Sequence, residues 1–592
     1  MAHRAIPLLL LPLLVACAAQ SPVRPPSPAT AAAPTINAAT EPQVTPAPVA
    51  QPQQEPAYRP FPPATLESLL TAEMAVLRQR PDISLANYLE QARATRDPAV
   101  VARATTIAQV LGQPQSLEMA QLWTEVAPDS ADAWFLFSLN SLRQRKFDLA
   151  MPALDRLLAL QPEADLEQLF IAAIPSSQAD RDELSRKLAD LAKTRPDNPH
   201  ILFGQALLRA QSGRPAEALV IADAARRLRP GSVQITLLEA KMLTELGRSK
   251  EAVALLRQAL RKHQESAALR LNLGRALIRA GDLDNAEVEF SALLARTPGD
   301  ESLRLSLALV AYENRHDDVA RHELEMLQDS EAFGDEARYF LGLLAARQNR
   351  IADALAAFET VQPGNQYLPA LAEISRLLAA QGRADEARRR LAEARALTPE
   401  LLIPLYQLEA ELLNENEQAA EAWKLLTAAL ADQPGHPHLL MSRALTAEKL
   451  DRLEDFEADM REVLRREPEN PTALNALGYT LADRTSRLDE AEALIRRAHG
   501  LKPNDPAIID SLGWVKYRRG DFAGALVELR KAYALFPDDE VAAHLGEVLW
   551  ALGQREEARR IWDEALRQHP KSAFIPRTRQ RLDPVACSSN CP

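Results

Sequence analysis

The sequence predicts an all-α solenoid, a series of helical hairpins stacked one on the next. Three observations carry this reading. From about Leu66 to Gln568 the chain is rich in Ala, Leu, Arg and Glu, all strong helix formers, with almost no run of β-branched residues. Within that span small residues, glycines and prolines return at intervals of about 34 residues. Some 500 residues of helix also exceed what one hydrophobic core can hold, so the chain must repeat or divide.

The elements follow in chain order. Residues 1–16 read as an export signal: Arg4 leads into the apolar run Ile6–Ala16, which is about half the length a bilayer-spanning helix needs. The run ends at Leu14-Val15-Ala16-Cys17, which resembles the lipobox of bacterial lipoproteins. That resemblance implies cleavage before Cys17, diacylglycerol on its sulfur and acylation of the new amino group. Two or more acyl chains anchor stably where one does not. Ala18 stands where Asp usually retains such proteins at the inner membrane, so the expected location is the outer membrane, lipid-anchored and facing the periplasm. Residues 17–64 are expected to form a lipidated, disordered tether. Positions 21–64 hold 13 prolines and only four charges, Arg24, Glu41, Glu55 and Arg59. Such a stretch buries too little apolar surface to offset its ordering entropy, and as polyproline II it reaches on the order of 100 Å.

Residues 65–198 read as degenerate helical repeats. Pro98, Pro128, Pro162 and Pro196 keep the period, and Ser138, Ala150 and Leu157 fit the frame, but Pro175-Ser176-Ser177 does not. From 199 to 570 the frame is regular. Small residues recur at Ala206, Ala240, Gly274, Ala308, Gly342, Ser375, Ala410, Ala444, Gly478, Gly513 and Gly546. Turn glycines follow at Gly213, Gly247, Gly281, Gly382, Gly520 and Gly553. Interior alanines sit at Ala218, Ala252, Ala286, Ala320, Ala354, Ala387, Ala422, Ala491, Ala525 and Ala558, with prolines such as Pro230, Pro298, Pro468 and Pro503 closing the units. These offsets resemble the tetratricopeptide repeat, over about 85 % of the chain. The resemblance implies a right-handed superhelical solenoid with a long concave face, made of about 11 clear repeats after three or four degenerate hairpins.

The chemistry of an enzyme is not expected. Of 10 histidines, none falls in an HExxH pattern, and GxSxG, Walker A and GxGxxG are missing from suitable contexts. His436-Pro437-His438, and His316 and His322 among acidic neighbours, read as solvated turns rather than metal ligands. No cofactor and no metal are expected. The net charge of −12, with Arg interleaved among Glu and Asp, excludes a nucleic-acid track. In the tail, 571–592, Cys587 and Cys591 are separated by three intervening residues, and an oxidising periplasm favours a small disulfide over free thiols or zinc.

Aromatic residues are only 5 % of the chain, which makes their clustering informative. The family's first-helix positions place Tyr479, Trp514, Tyr517 and Trp550 near the concave lining, beside Arg518 and Glu547. Each ring suits either a partner anchor or the inter-repeat core. Tyr517 and Trp550, one position beyond the usual buried tyrosine, suit exposure better. Trp123 and Trp134 form a second aromatic group in the degenerate part. Asn475, Tyr479, Asp510 and Trp514 depart from the Lys/Asn/Arg clamp with which some relatives hold a chaperone tail.

Signal, Cys17, tether and long array together resemble the lipoprotein adaptors of periplasmic carboxyl-terminal processing proteases. The resemblance implies a noncatalytic protein that binds and activates such a serine protease and brings it to peptidoglycan hydrolases, whose degradation restrains cell-wall turnover. The alternative is a lipoprotein scaffold for an outer-membrane secretion, pilus or polysaccharide-export complex.

Overall fold

The structure, a computed structural model, describes residues 60–583. Cys17, nearly all of the expected tether, and Cys587 and Cys591 lie outside the described residues. The chain divides into two compact units, Met1–Phe333 and Gly334–Pro592. Every described helix is α apart from one short 3-10 turn, Pro399–Leu401, and no strand occurs among the described residues. None of the described helices is long and apolar enough to cross a membrane.

The first unit holds eight hairpins, from Pro63–Leu77 with Pro81–Thr95 to Glu301–Glu313 with Asp317–Glu325. Its first helix starts at Pro63, two residues inside the stretch expected as tether. The break expected at Pro175-Ser176-Ser177 is a link between a short helix, Leu166–Ala173, and Gln178–Thr194, whose first turn Ser177 caps. The second unit holds seven hairpins, from Gly334–Arg347 with Ile351–Glu359 to Asp539–Ala551 with Arg555–Gln568, and a last helix Phe574–Leu582.

Local chemistry sets each hairpin. A capping side chain starts most first helices by accepting early backbone N–H groups: Asp97, Ser130, Asn198, Ser232, Ser266, Asp300, Asn470, Asp505 and Asp538 all do so. Each such cap is worth about 1 kcal/mol. The prolines read as unit boundaries stand two residues before several of these caps, as in Pro230–Ser232 and Pro503–Asp505, where they stop the preceding helix.

Between the two helices of most hairpins the chain reverses through one left-handed residue. At Gly213, Gly247, Gly281, Gly382, Gly520 and Gly553 φ is +70° to +85°. Arg315, Asn349, Glu417 and Asp451 fill the same place with φ of +57° to +64°, so the turn is not confined to glycine. The reason is a hydrogen bond common to both kinds. The next N–H donates to the carbonyl five residues back, as in Arg248 to Leu243 (2.8 Å), Asp282 to Leu277 (2.9 Å), Gln418 to Leu413 (2.8 Å) and Arg452 to Ala447 (2.9 Å).

Packing then closes each hairpin on a small residue. A Cβ at Gly274 would stand 2.9 Å from the Phe290 ring, one at Gly342 2.5 Å from Phe358, and one at Gly513 2.6 Å from Leu529. At Gly546 it would collide with the Trp562 indole. In all four hairpins the large partner lies 16 residues after the glycine, on the second helix. The interior alanines are buried without exception, from Ala218 to Ala558. Polar ties repeat as well: Arg270 pairs with Glu289 (2.6 Å) and Arg304 with Glu323 (2.5 Å), both pairs half-buried and one period apart.

Candidate functional site: an aromatic and acidic cluster on three first helices

The helices Pro471–Arg484, Pro506–Arg518 and Asp539–Ala551 are the first helices of the last three hairpins. Capping by Asn470, Asp505 and Asp538 fixes their starts, so equivalent positions of successive helices come side by side. Tyr479, Asp510, Trp514, Glu540, His544 and Glu547 meet there.

His544 is the centre, only 7 % exposed. Its ring stacks on Trp514 with centroids 4.2 Å apart. Nδ1 lies 3.0 and 3.1 Å from the two Asp510 carboxylate oxygens, and Nε2 lies 3.4 Å from the Tyr479 hydroxyl. That hydroxyl donates to Glu540 Oε1 at 2.8 Å. Burial opposes charge on the imidazole, but Asp510, with Glu540 and Glu547 behind it, holds its pKa above the ordinary value. Burial raises the Glu540 carboxyl, and burial with Glu540 beside it drives the Tyr479 phenol far up.

A second branch leads outward. The Tyr517 hydroxyl donates to Glu547 Oε1 at 3.0 Å, and Arg581 of the last helix pairs with the other Glu547 oxygen. Burial, then Glu547, pushes the Tyr517 phenol up to about 12. Arg518 donates to the Asp483 carbonyl at 2.5 Å, and Trp514 Nε1 donates to the Asp483 carboxylate at 3.3 Å.

The aromatic residues predicted for this face thus occupy different depths. Trp514 is 6 % exposed and belongs to the inter-repeat core, because His544 of the following helix covers it. Tyr479, Tyr517 and Arg518 are half-buried. Trp550 is half-buried, stacked on Trp562 at 5.9 Å, with the Arg555 and Arg559 guanidinium groups 5.1 and 5.3 Å above its ring. Trp123 and Trp134 are not brought together in one cluster. Trp123 packs on the first core of the chain, while Trp134 joins the next ones, its Nε1 donating to the Pro128 carbonyl at 2.8 Å. His544 was not singled out by sequence and Asp510 was read only as a departure from the chaperone-tail clamp, although their separation of 34 residues is one repeat.

One other polar cluster is buried in the first unit. Asp165, Glu167 and His200 place ligand atoms within 4.8 Å of one another. The set does not suit a metal, because a cation is already built in. Arg229 Nη1 lies 3.3 Å from Glu167 and 2.9 to 3.1 Å from the ring nitrogens of His200, and Ser232 donates to Glu167 at 2.6 Å. Burial and then Arg229 push the His200 pKa down to about 4.

Stacked hairpins of this kind define a scaffold that binds other proteins. Tetratricopeptide-repeat models match residues 243–311 and 517–574, and 185–233, 305–369 and 457–506. TPR repeat-containing protein PA4667 of Pseudomonas aeruginosa is 42 % identical over 525 residues, covering 83 % of each chain. The chain belongs to the tetratricopeptide-repeat family. Among solved structures it is similar to Naa15/Naa10 bound to HypK-THB (TM-score 0.31, 14 % identity, 85 % of this chain and all of that one). The Cut9–Hcn1 hetero-tetramer of APC/C gives a TM-score of 0.29 at 13 % identity, over 82 % of this chain and 97 % of that one.

Proposed function

We propose that this protein is an outer-membrane lipoprotein adaptor that binds and activates a periplasmic carboxyl-terminal processing protease and presents peptidoglycan hydrolases to it. The observation that carries the reading is the run of hairpins that follows an expected lipid anchor at Cys17: much surface for partners. A long array holds two proteins at once, so tethering raises their effective concentration without any catalytic group. Activation further requires that the array bind the active protease conformation more tightly than the inactive one. The half-buried rings and charges around Tyr517, Arg518 and Trp550 are the anchors we assign to a partner.

Reconstitution tests the proposal. Purified protease and candidate wall hydrolases are incubated with and without the full chain, and substrate loss is followed. Loss should accelerate only when the chain is present, and a Cys17→Ser chain should do the same in solution while failing to fractionate with membranes. Equal rates with and without the chain would overturn the adaptor reading.

A further inference from the structure

We propose that His544 is a proton-operated latch: its imidazolium ties Asp510 to Tyr479, and loss of one proton releases the helix Pro471–Arg484 together with the Asp483 contact to the Trp514 edge. The chain of groups runs across all three first helices, from Asp510 through His544 and Tyr479 to Glu540. A protonated imidazole has two N–H donors and satisfies both ends, Nδ1–H to Asp510 and Nε2–H to the Tyr479 oxygen. Tyr479 then keeps its own hydrogen for Glu540.

A neutral imidazole has one N–H, and Asp510 retains it at Nδ1. Nε2 now presents a lone pair to the Tyr479 oxygen, also a lone-pair site. Tyr479 can turn its hydrogen toward Nε2 only by abandoning Glu540, whose carboxylate is then left half-buried without that donor. Either choice leaves one polar group unbonded in a poorly hydrated place, which disfavours the closed cluster. The strand of bonds that breaks is the one that joins Pro471–Arg484 to Asp539–Ala551.

Groups around His544 do not supply a substitute. Pro471–Arg484 faces it with Tyr479 and Asp483, and Pro506–Arg518 with Asp510, Trp514, Tyr517 and Arg518. Its own helix adds Glu540 and Glu547, and Phe574–Leu582 adds Arg581, which is engaged with Glu547. Of the second helices, Phe522–Leu535 directs Glu528 to Lys516 (2.7 Å), and Arg555–Gln568 lays Arg555 and Arg559 over Trp550. No other cation among these reaches Asp510 or Glu540. The raised pKa of the imidazole places the loss of the proton above about pH 6.5. Trp514 stays sandwiched between His544 at 4.2 Å and Tyr517 at 5.1 Å, and opening frees its Nε1 edge, which donates to Asp483 of the released helix at 3.3 Å. As regulation of partner binding this rests on the adaptor reading; the latch itself does not.

Hydrogen–deuterium exchange on the full chain without any partner tests it. Protection factors over residues 471–484 and 506–518 should fall about tenfold as pH rises from 6 to 9, in one titration. In His544→Gln they should be low and independent of pH. A wild-type profile flat with pH, or the same titration in His544→Gln, would overturn the latch. If His544→Gln loses its helical circular dichroism, Tyr479→Phe decides, because it keeps the ring and removes the far end of the tie: its 471–484 protection should not titrate, and an unaltered titration overturns the proposal. Protease binding at pH 6 and pH 9 is then a separate readout. A titrating latch with no protease bound at either pH sinks the adaptor reading and leaves the latch standing.

Discussion

Gly546 shows how much one missing methyl can matter. Its position holds the Trp562 indole against the first helix of its hairpin, and Trp562 is wholly buried. Gly546→Ala must displace that ring, an overpacking change that should destabilise the second unit by about 1–3 kcal/mol, read as a lowered urea midpoint. The same substitution at Gly500, where a Cβ meets nothing, should not lower it. The need for a small residue at Gly546 was legible from spacing, because packing of paired helices repeats with the period. The tie between Asp510 and His544 was not. Acid and imidazole are common on helix surfaces, and only the side-by-side placement of equivalent turns tells a partner from a solvated neighbour. Trp514 was legible as a first-helix ring suited to either a partner or the inter-repeat core, and its burial was not, because that depends on the next first helix bringing His544 against the indole.

At the scale of the element, the hairpin turn separates what glycine signals from what geometry demands. Glycines marked six turns of the regular array correctly, yet Arg315, Asn349, Glu417 and Asp451 adopt the same left-handed conformation. A side chain there is strained by about 1 kcal/mol, and the bond to the carbonyl five residues back holds it in place. Glu417 is exposed and forms none of the ion pairs of its hairpin. Glu417→Gly should therefore stabilise the second unit by about 1 kcal/mol, seen as a higher melting temperature; a lower one would mean that the unfolded-state entropy of glycine outweighs the relief of strain. The N-terminal hairpins were harder to read for a related reason. A shortened first helix at Leu166–Ala173 and a proline inside Phe147–Leu160 disturb the spacing while leaving the helical pairing intact.

For the whole molecule, the two units should respond to pH in opposite senses. His200 in the first unit has a folded pKa of about 4, below its ordinary value, so the neutral ring is favoured on folding. Its contribution is complete above about pH 6.5 and is lost as pH falls toward 4. His544 in the second unit has a raised pKa, so its contribution is complete below about pH 6.5 and is lost as pH rises through the folded value. Exchange measured on the full chain should show acidification from pH 6.5 to 4.5 weakening residues 199–211. His200→Gln, which keeps an acceptor for Arg229, should remove that acid dependence. Protection in 199–211 that is equally acid-sensitive in both proteins would assign the effect to the carboxylates instead. Repeat stability is close to a sum of hairpin and neighbour contributions, so such local changes need not unfold the rest.

The glycine and its large partner sit 16 residues apart inside a single hairpin, as at Gly274 with Phe290 and Gly342 with Phe358. Each hairpin therefore carries its own internal fit. Gain or loss of one full period during evolution leaves every such fit intact, so array length is free to drift in whole units. The Asp510–His544 tie has no such freedom, because it joins two successive hairpins, and inserting one hairpin between them would part the pair. The last three hairpins should accordingly be inherited as a block.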